Sequence, residues 1–218
     1  MKNKVIIFGI LDTAELAYYY LKNDSLYEVV GFCVNEEYLN IESFKSLPVV
    51  AFERITEIFP PEQFLLFVPM TGVKMNDVRK NIYLEGKSKG YEFISYVSSK
   101  ATILSDNIGE NCFILEDNTI QPYVKIGNNV VLWSGNHIGH HSTIEDHVFF
   151  TSHIVLSGHC HVKERAWIGV NTTIKDHLTI GKGSLIGMGA LVTKNTQDGG
   201  YYIGYPARKQ TRLAKDIY

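Results

Sequence analysis

Cysteine is scarce in this chain and oddly spaced. Cys33, Cys112 and Cys160 are an odd number with no CxxC pair, which argues against a disulfide framework or a cysteine zinc site. Proline is also low, at 6 of 218 residues, so a Pro-rich linker is not expected. Neither sign of charge is in excess: 21 Lys and Arg against 23 Asp and Glu leave a net charge of −2. That balance gives no electrostatic case for nucleic acid or an anionic membrane as the main partner. Long hydrophobic runs are missing as well. The longest near the N-terminus, residues 5–11, is broken by Gly9, stopped by Asp12 and followed by no small-residue cleavage site. The expectation is therefore no signal peptide, no membrane insertion and a cytoplasmic location. With 45% apolar and 20% charged residues, there is core material for one large domain or two small ones.

Two rhythms divide what is present. Residues 5–8, 29–34, 64–68 and 93–97 are apolar runs of strand length, and the first ends at Gly9. Between them, residues 14–21 and 75–89 have helical spacing, the second opening at Asn76 and Asp77 and stopping at Gly90. Strand, helix, strand in this order predicts a parallel α/β domain over residues 1–100.

From residue 101 to 218 the period becomes six. Ile108, Ile114, Ile120, Ile126, Leu132, Ile138, Ile144, Phe150, Leu156, Val162, Ile168, Ile174, Ile180, Ile186 and Val192 are all large and apolar. Independent positions in a chain of this composition would do so about once in 10⁵ trials. No helix has a period of six and a strand has a period of two, so the pattern predicts a hexapeptide β-helix. Gly109, Gly127, Gly139, Gly169, Gly181 and Gly187 follow the apolar column, as expected for corners of positive φ. Four places after that column come small or β-branched residues, Cys112, Val124, Val130, Ser142, Val148, Cys160, Ala166, Thr172, Ser184 and Ala190, expected to point inward. Cys160 therefore reads as core rather than as a nucleophile. Three hexads make one coil, so residues 18 apart should stack, giving about five coils and a prism roughly 24 Å tall.

All eight histidines lie between His137 and His177. His141, His147, His153, His159 and His177 occupy the third place after the apolar column, and His137 and His161 the fifth. His141, His159 and His177 should stack as a ladder. His140 alone holds the second place, with Gly158 stacked 18 residues on, a spacing that would leave room beside the imidazole for a thin pantetheine chain.

This repeat, with the Ile203-Gly204-Tyr205-Pro206-Ala207-Arg208-Lys209 tail and an α/β domain ahead of it, resembles the hexapeptide-repeat acyltransferases of the NeuD/PglD-like sugar acetyltransferase group. The resemblance implies an N-terminal Rossmann-like domain holding a nucleotide-activated sugar and a C-terminal left-handed parallel β-helix. It implies a homotrimer with acetyl-CoA as co-substrate between adjacent helices. The implied reaction is acetyl transfer to the amino group of a nucleotide-linked amino sugar in polysaccharide or glycan biosynthesis. A sugar O-acetyltransferase of the sialic acid type is the alternative, and a His-ligated zinc enzyme of the gamma carbonic anhydrase kind a remote one; otherwise no metal is expected. The stretch Ile138-Gly139-His140-His141 aligns with the family motif and puts the general base at His140, with His141 where the family has a carboxylate. His137 or His141 as the base, or a structural His140, remain open. Orientation of the base would fall to a main-chain carbonyl, Glu145 or Asp146. By the same alignment Phe149, Gly158, Val170, Gly187, Met188, Gly189 and Arg208 contact the cofactor, with Lys209 beside its phosphates. Gly9, Leu11, Asp12, Thr13, Asn35 and Glu36 contact the sugar nucleotide.

Overall fold

The apolar runs of the first half become a mostly parallel sheet in the computed structural model, which describes residues 3–217. Its elements are β1 (Lys4–Phe8), α1 (Asp12–Asn23), β2 (Glu28–Val34), β3 (Ser43–Phe44), β4 (Leu47–Ala51), α2 (Ile55–Ile58), β5 (Leu65–Phe67) and α3 (Asp77–Ser88). The sheet order is β3-β4-β2-β1-β5. β1 pairs in parallel with β2 and β5, β2 pairs in parallel with β4, and β3 closes the edge antiparallel to β4. Val5, Ile6 and Ile7 are fully buried because both faces of β1 are covered, which is why the run does not alternate. In α1 the inward stripe is Ala14, Ala17 and Leu21, the spacing of one helical face. α3 occupies most of the expected 75–89 window and ends before Gly90, whose φ is +88°. The β3–β4 hairpin was not expected; Pro48 sits near the start of β4, one residue before that strand joins β2, where no ladder N–H is required of it.

Residues 93–97 do not form one strand. Phe93 makes a single bridge to Leu66, whereas Tyr96–Val97 already pairs with Phe113–Ile114 as the first rung of the repeat. From there the chain lays down two-residue strands in three parallel sheets. The register advances by 18 residues per coil, as in Phe149↔Trp167↔Leu185 and His137↔Val155↔Thr173. From Ile114 to Val192 the every-sixth column is at most 3% exposed, and only Ile108, at the open end, is partly buried. The small column behind it fills the same core, Cys160 included.

The glycine column has another cause than the one expected. Gly109, Gly127, Gly139, Gly169, Gly181 and Gly187 have no left-handed φ; they are small because the next coil lies against them. A Cβ on Gly169 would stand 2.5 Å from the Met188 nitrogen and 2.9 Å from the Ile186 oxygen. The left-handed turn falls two places later, on Asn111, Asp117, Tyr123, Asn129, His141, His147, His153, His159, Arg165, Asn171 and His177, all with φ between 53° and 65°. Asn, Asp and His are the non-glycine residues most tolerant of that region. The phase of five of the histidines thus follows from backbone geometry before any chemistry is asked of them.

One face and one corner of the prism are spent on the α/β half. Phe113, Val131, Phe149, Trp167 and Leu185 point outward from their sheet into a cluster with Phe67, Met75 and Ile94. On the adjoining corner α3 supplies Arg79, fully buried, which donates to the Asn129 carbonyl and side chain and to the His147 carbonyl at 2.9 Å. Tyr83 donates to Glu110 at 2.6 Å and Lys80 pairs with Glu164 at 2.5 Å. Two faces and the corner around His140 stay open, and on the remaining corner α1 reaches only the first coils, where Tyr20 donates to Glu116 at 2.8 Å. Among the described residues no helix is long and apolar enough to cross a membrane.

Candidate active site

One open corner is built from the turns at 122–123, 140–141, 158–159 and 176–177. Because the third-place residues stack at coil spacing, Tyr123, His141, His159 and His177 form a ladder of rings, with successive centroids 4.6, 4.9 and 4.7 Å apart. The His141–His159 and His159–His177 pairs are nearly parallel, at 13° and 20°. The expected ladder is therefore present, at a corner rather than on a flat face. His140 meets it edge-on, 5.2 Å from the His141 ring and 5.1 Å from the His159 ring.

The space over Gly158 is not left for a ligand. A Cβ there would stand 2.9 Å from His140 Cε1 and 3.0 Å from Nε2, so the missing side chain accommodates the imidazole itself. His140 is held by its main chain, whose N–H donates to Gln121 Oε1 at 2.9 Å, and by Nδ1, 3.1 Å from His141 Nδ1. One of those two nitrogens carries the proton and the other accepts it. Neither Glu145 nor Asp146 reaches this pair: Glu145 accepts from His161 Nε2 at 2.6 Å, and Asp146 accepts from the Asn128 N–H at 2.7 Å. Asp176 is engaged with His177 Nδ1 at 2.9 Å, which lowers its carboxyl pKa. Desolvation and then the charges of His177, His141 and His140 hold the His159 imidazole below its ordinary pKa. The corner thus presents an exposed imidazole, oriented through another imidazole, that can take a proton from a bound nucleophile.

The residues aligned with cofactor contacts divide between corners. Val170, Met188 and Gly189 lie on the corner preceding the strand His137–Ile138, and His140 on the corner following it. There Met188 is 75% exposed and Gly189 has open space around it. Gly187 lies under the Ile203 side chain, and the tail passes beside it with Tyr205 81% exposed. Arg208 opens an exposed strand and Lys209 donates to Gln197 at 2.6 Å. Phe149 is elsewhere: it is 5% exposed, stacked on Trp167 in the junction with the α/β half, so its side chain offers nothing to a cofactor. The cause is its place on the one face that the α/β half covers.

The aligned sugar-nucleotide residues do gather, at the carboxyl edge of the α/β sheet. Gly9 turns at φ +111° after β1, Leu11 is 77% exposed, and Asp12 and Thr13 open α1. Asn35 and Glu36 follow β2, and Asn35 Oδ1 is buried with no hydrogen-bond partner. Glu36 is already paired with Arg54 at 3.2 Å. The chain leaves β1 toward β2 and returns to β1's other side as β5, so this edge is a topological switch point, where open α/β sheets bind ligands. Sequence reasoning missed Gln121 and Tyr123 at the histidine corner, and it placed His159 in the ladder without its contact to His140. It also missed a cleft of 710 Å³ at the start of α3, beside the corner that Arg79 holds, lined by Lys74, Arg165, Lys182 and Lys215 among others.

The model of the bacterial transferase hexapeptide matches residues 107–140. That stretch carries the hexapeptide repeat. Among solved structures, the acetyltransferase domain of PglB from Neisseria gonorrhoeae superposes with a TM-score of 0.83 at 21% identity, over 96% of this chain and 100% of that one. A perosamine N-acetyltransferase variant from Caulobacter crescentus, solved with CoA and GDP-perosamine, superposes with a TM-score of 0.82 at 20% identity, over 96% and 97%. At such identities the likeness fixes the fold, and the stacked parallel sheets of hexads fit a left-handed β-helix. An acyl-[acyl-carrier-protein]–UDP-N-acetylglucosamine O-acyltransferase from Pseudomonas paraeruginosa is 30% identical over 86 residues, 39% of this chain and 33% of that one. The chain thus matches about a third of the length of its curated relatives.

Proposed function

We propose that this hexapeptide-repeat protein is an acetyl-CoA-dependent acetyltransferase acting on the amino group of a nucleotide-linked amino sugar. The observation that carries it is the His140 imidazole, solvent-facing, held at Nδ1 by His141 while Gln121 accepts from its main-chain N–H, at the edge of a face whose other edge offers the exposed Met188 ledge. The neighbours solved with acetyl-CoA, or with CoA and GDP-perosamine, support the choice of substrates. In the reaction the sugar amine attacks the thioester carbonyl carbon and the C–S bond breaks. His140 accepts the proton the amine loses, and the departing thiolate of CoA takes up a proton in turn. His141 positions the base through the Nδ1–Nδ1 contact. Val170, Gly187, Met188 and Gly189 would take the thioester arm, and Arg208 its phosphates.

Residues 1–100 then act as a Rossmann-like domain that holds the sugar nucleotide at the Gly9–Thr13 turn, with the unpartnered Asn35 Oδ1 as an acceptor for the base. Base and cofactor ledge lie at opposite edges of one face of a single chain. A homotrimer, in which one chain's His140 faces its neighbour's ledge, would unite them. This reading suits a cytoplasmic enzyme of polysaccharide biosynthesis.

The deciding experiment incubates the protein with acetyl-CoA and a panel of UDP-, GDP- and dTDP-linked amino sugars and detects products by mass. An N-acetylated sugar nucleotide is expected. Acetyl on oxygen alone would replace the amine with a hydroxyl acceptor, and absence of both product and CoA affinity would overturn the proposal.

A further inference from the structure

We propose that His140, His141 and His159 bind a divalent transition-metal ion of the zinc class, and that this ion silences the base by occupying its lone pair. Each of the three offers one ring nitrogen, these nitrogens lie within 4.8 Å of one another, and all three residues are exposed. A tetrahedral zinc site with bonds of about 2.0–2.1 Å needs ligand nitrogens about 3.3 Å apart. The His140 Nδ1–His141 Nδ1 separation, 3.1 Å, is already there. The rest requires the exposed, nearly parallel His141 and His159 rings to turn toward each other about their side-chain torsions.

The backbone keeps this trio together whether or not an ion is present. His141 and His159 sit at equivalent left-handed turns, φ 59° and 56°, one coil apart, so their spacing is the spacing of the β-helix. The His159 N–H donates to the His140 carbonyl at 2.9 Å, tying the two turns directly. His140 leans between them because Gly158 has no side chain. His177, next in the ladder with its Nδ1 on Asp176, lies outside the trio whose ring nitrogens converge. Imidazole suits zinc, copper and nickel, and three exposed imidazoles leave a fourth coordination position to water. Two facing ring nitrogens cannot both present lone pairs to each other, and a bound cation removes that conflict as well as a proton does.

The silencing clause rests on the reading of His140 as the base; the metal site does not. The test titrates Co²⁺ into the full chain and follows its visible ligand-field absorption, then displaces it with Zn²⁺ by calorimetry. About one ion per chain is expected, with tetrahedral bands. His159→Gln should weaken binding by roughly a hundredfold, whereas His177→Gln and His153→Gln should bind as the parent does. No binding by the parent chain, or parental binding by His159→Gln, overturns the site. Acetyl transfer should fall as Zn²⁺ fills the site, and inhibition of His159→Gln, relative to its own metal-free rate, should need correspondingly more Zn²⁺. Binding without inhibition overturns the silencing. A failed base assignment is seen separately, as undiminished turnover by His140→Asn with no metal present.

Discussion

His140 and His147 lie on neighbouring corners of one coil in opposite surroundings. His147 is buried against α3, accepts from Asn129 Nδ2 at 2.9 Å through Nδ1 and packs on the Tyr83 ring. Burial, and then the charge of Arg79, push its pKa down to about 4. The unfolded chain binds this proton first, so the contribution of His147 is complete above its ordinary value and is lost as the pH falls toward about 4. Between pH 7 and about 4.5 the parent should lose about 2 kcal/mol more than His147→Asn, a replacement that tolerates the same φ of 64°. Urea midpoints at the two pH values measure the difference, and equal losses would mean that His147 charges freely in the fold. His140, by contrast, is exposed and bonded mainly to its neighbour. His140→Asn should leave the melting temperature within about a degree and lower kcat by about 10²–10⁴-fold. For an amine acceptor the deficit should shrink as pH rises, because the amine sheds its own proton. A deficit independent of pH would favour a hydroxyl acceptor.

At the scale of the element, each turn of the repeat asks for two different things of its small residues. Gly169 must be small because the next coil's main chain approaches it, whereas Gly189 has φ +67° and nothing within 4 Å of an added Cβ. Gly169→Ala should therefore cost about 1–3 kcal/mol, seen as a melting temperature lower by roughly 5 °C. Gly189→Asn, which keeps left-handed φ in open space, should move it by less than about 2 °C. Similar shifts for the two would refute this division of roles. The apolar column was legible from the sequence because a coil of three hexads must send one side chain inward every six residues. The left-handed column was not, because His, Asn, Asp, Tyr and Arg share no polarity, only tolerance of one backbone shape or enforcement by their neighbours. In the α/β half, β1, β2 and α1 were legible as buried runs and a helical stripe. The β3–β4 hairpin was hidden by its shortness and by Pro48, and the apolar residues 93–97 concealed a chain changing from one sheet to another. His140 was found by its phase, but His159 was not seen beside it. Counting by 18 stacks His140 on Gly158, and only the lean of the ring over that glycine brings the next residue into contact.

For the whole molecule, the fates of the three corners decide what a single chain can do. One is locked to α3 through Arg79, one carries the imidazoles, and one carries Val170, Met188 and Gly189. The last two flank the same face, so no turn of a single prism places the base against the cofactor ledge, and a ring of copies would. Complementation tests this directly. His140→Asn chains retain an intact ledge, and Met188→Arg chains, altered at a side chain 75% exposed, retain an intact base. Each variant alone should be nearly inactive. Co-expressed in equal amounts, they should recover about a quarter of parental turnover, since a productive site needs the base of one chain type and the ledge of the other at once. Recovery requires mixed oligomers, which an affinity tag on one variant isolates. Mixed oligomers with no recovered turnover would mean that each chain builds its whole site alone, and the ledge would then have to be sought on the histidine corner itself.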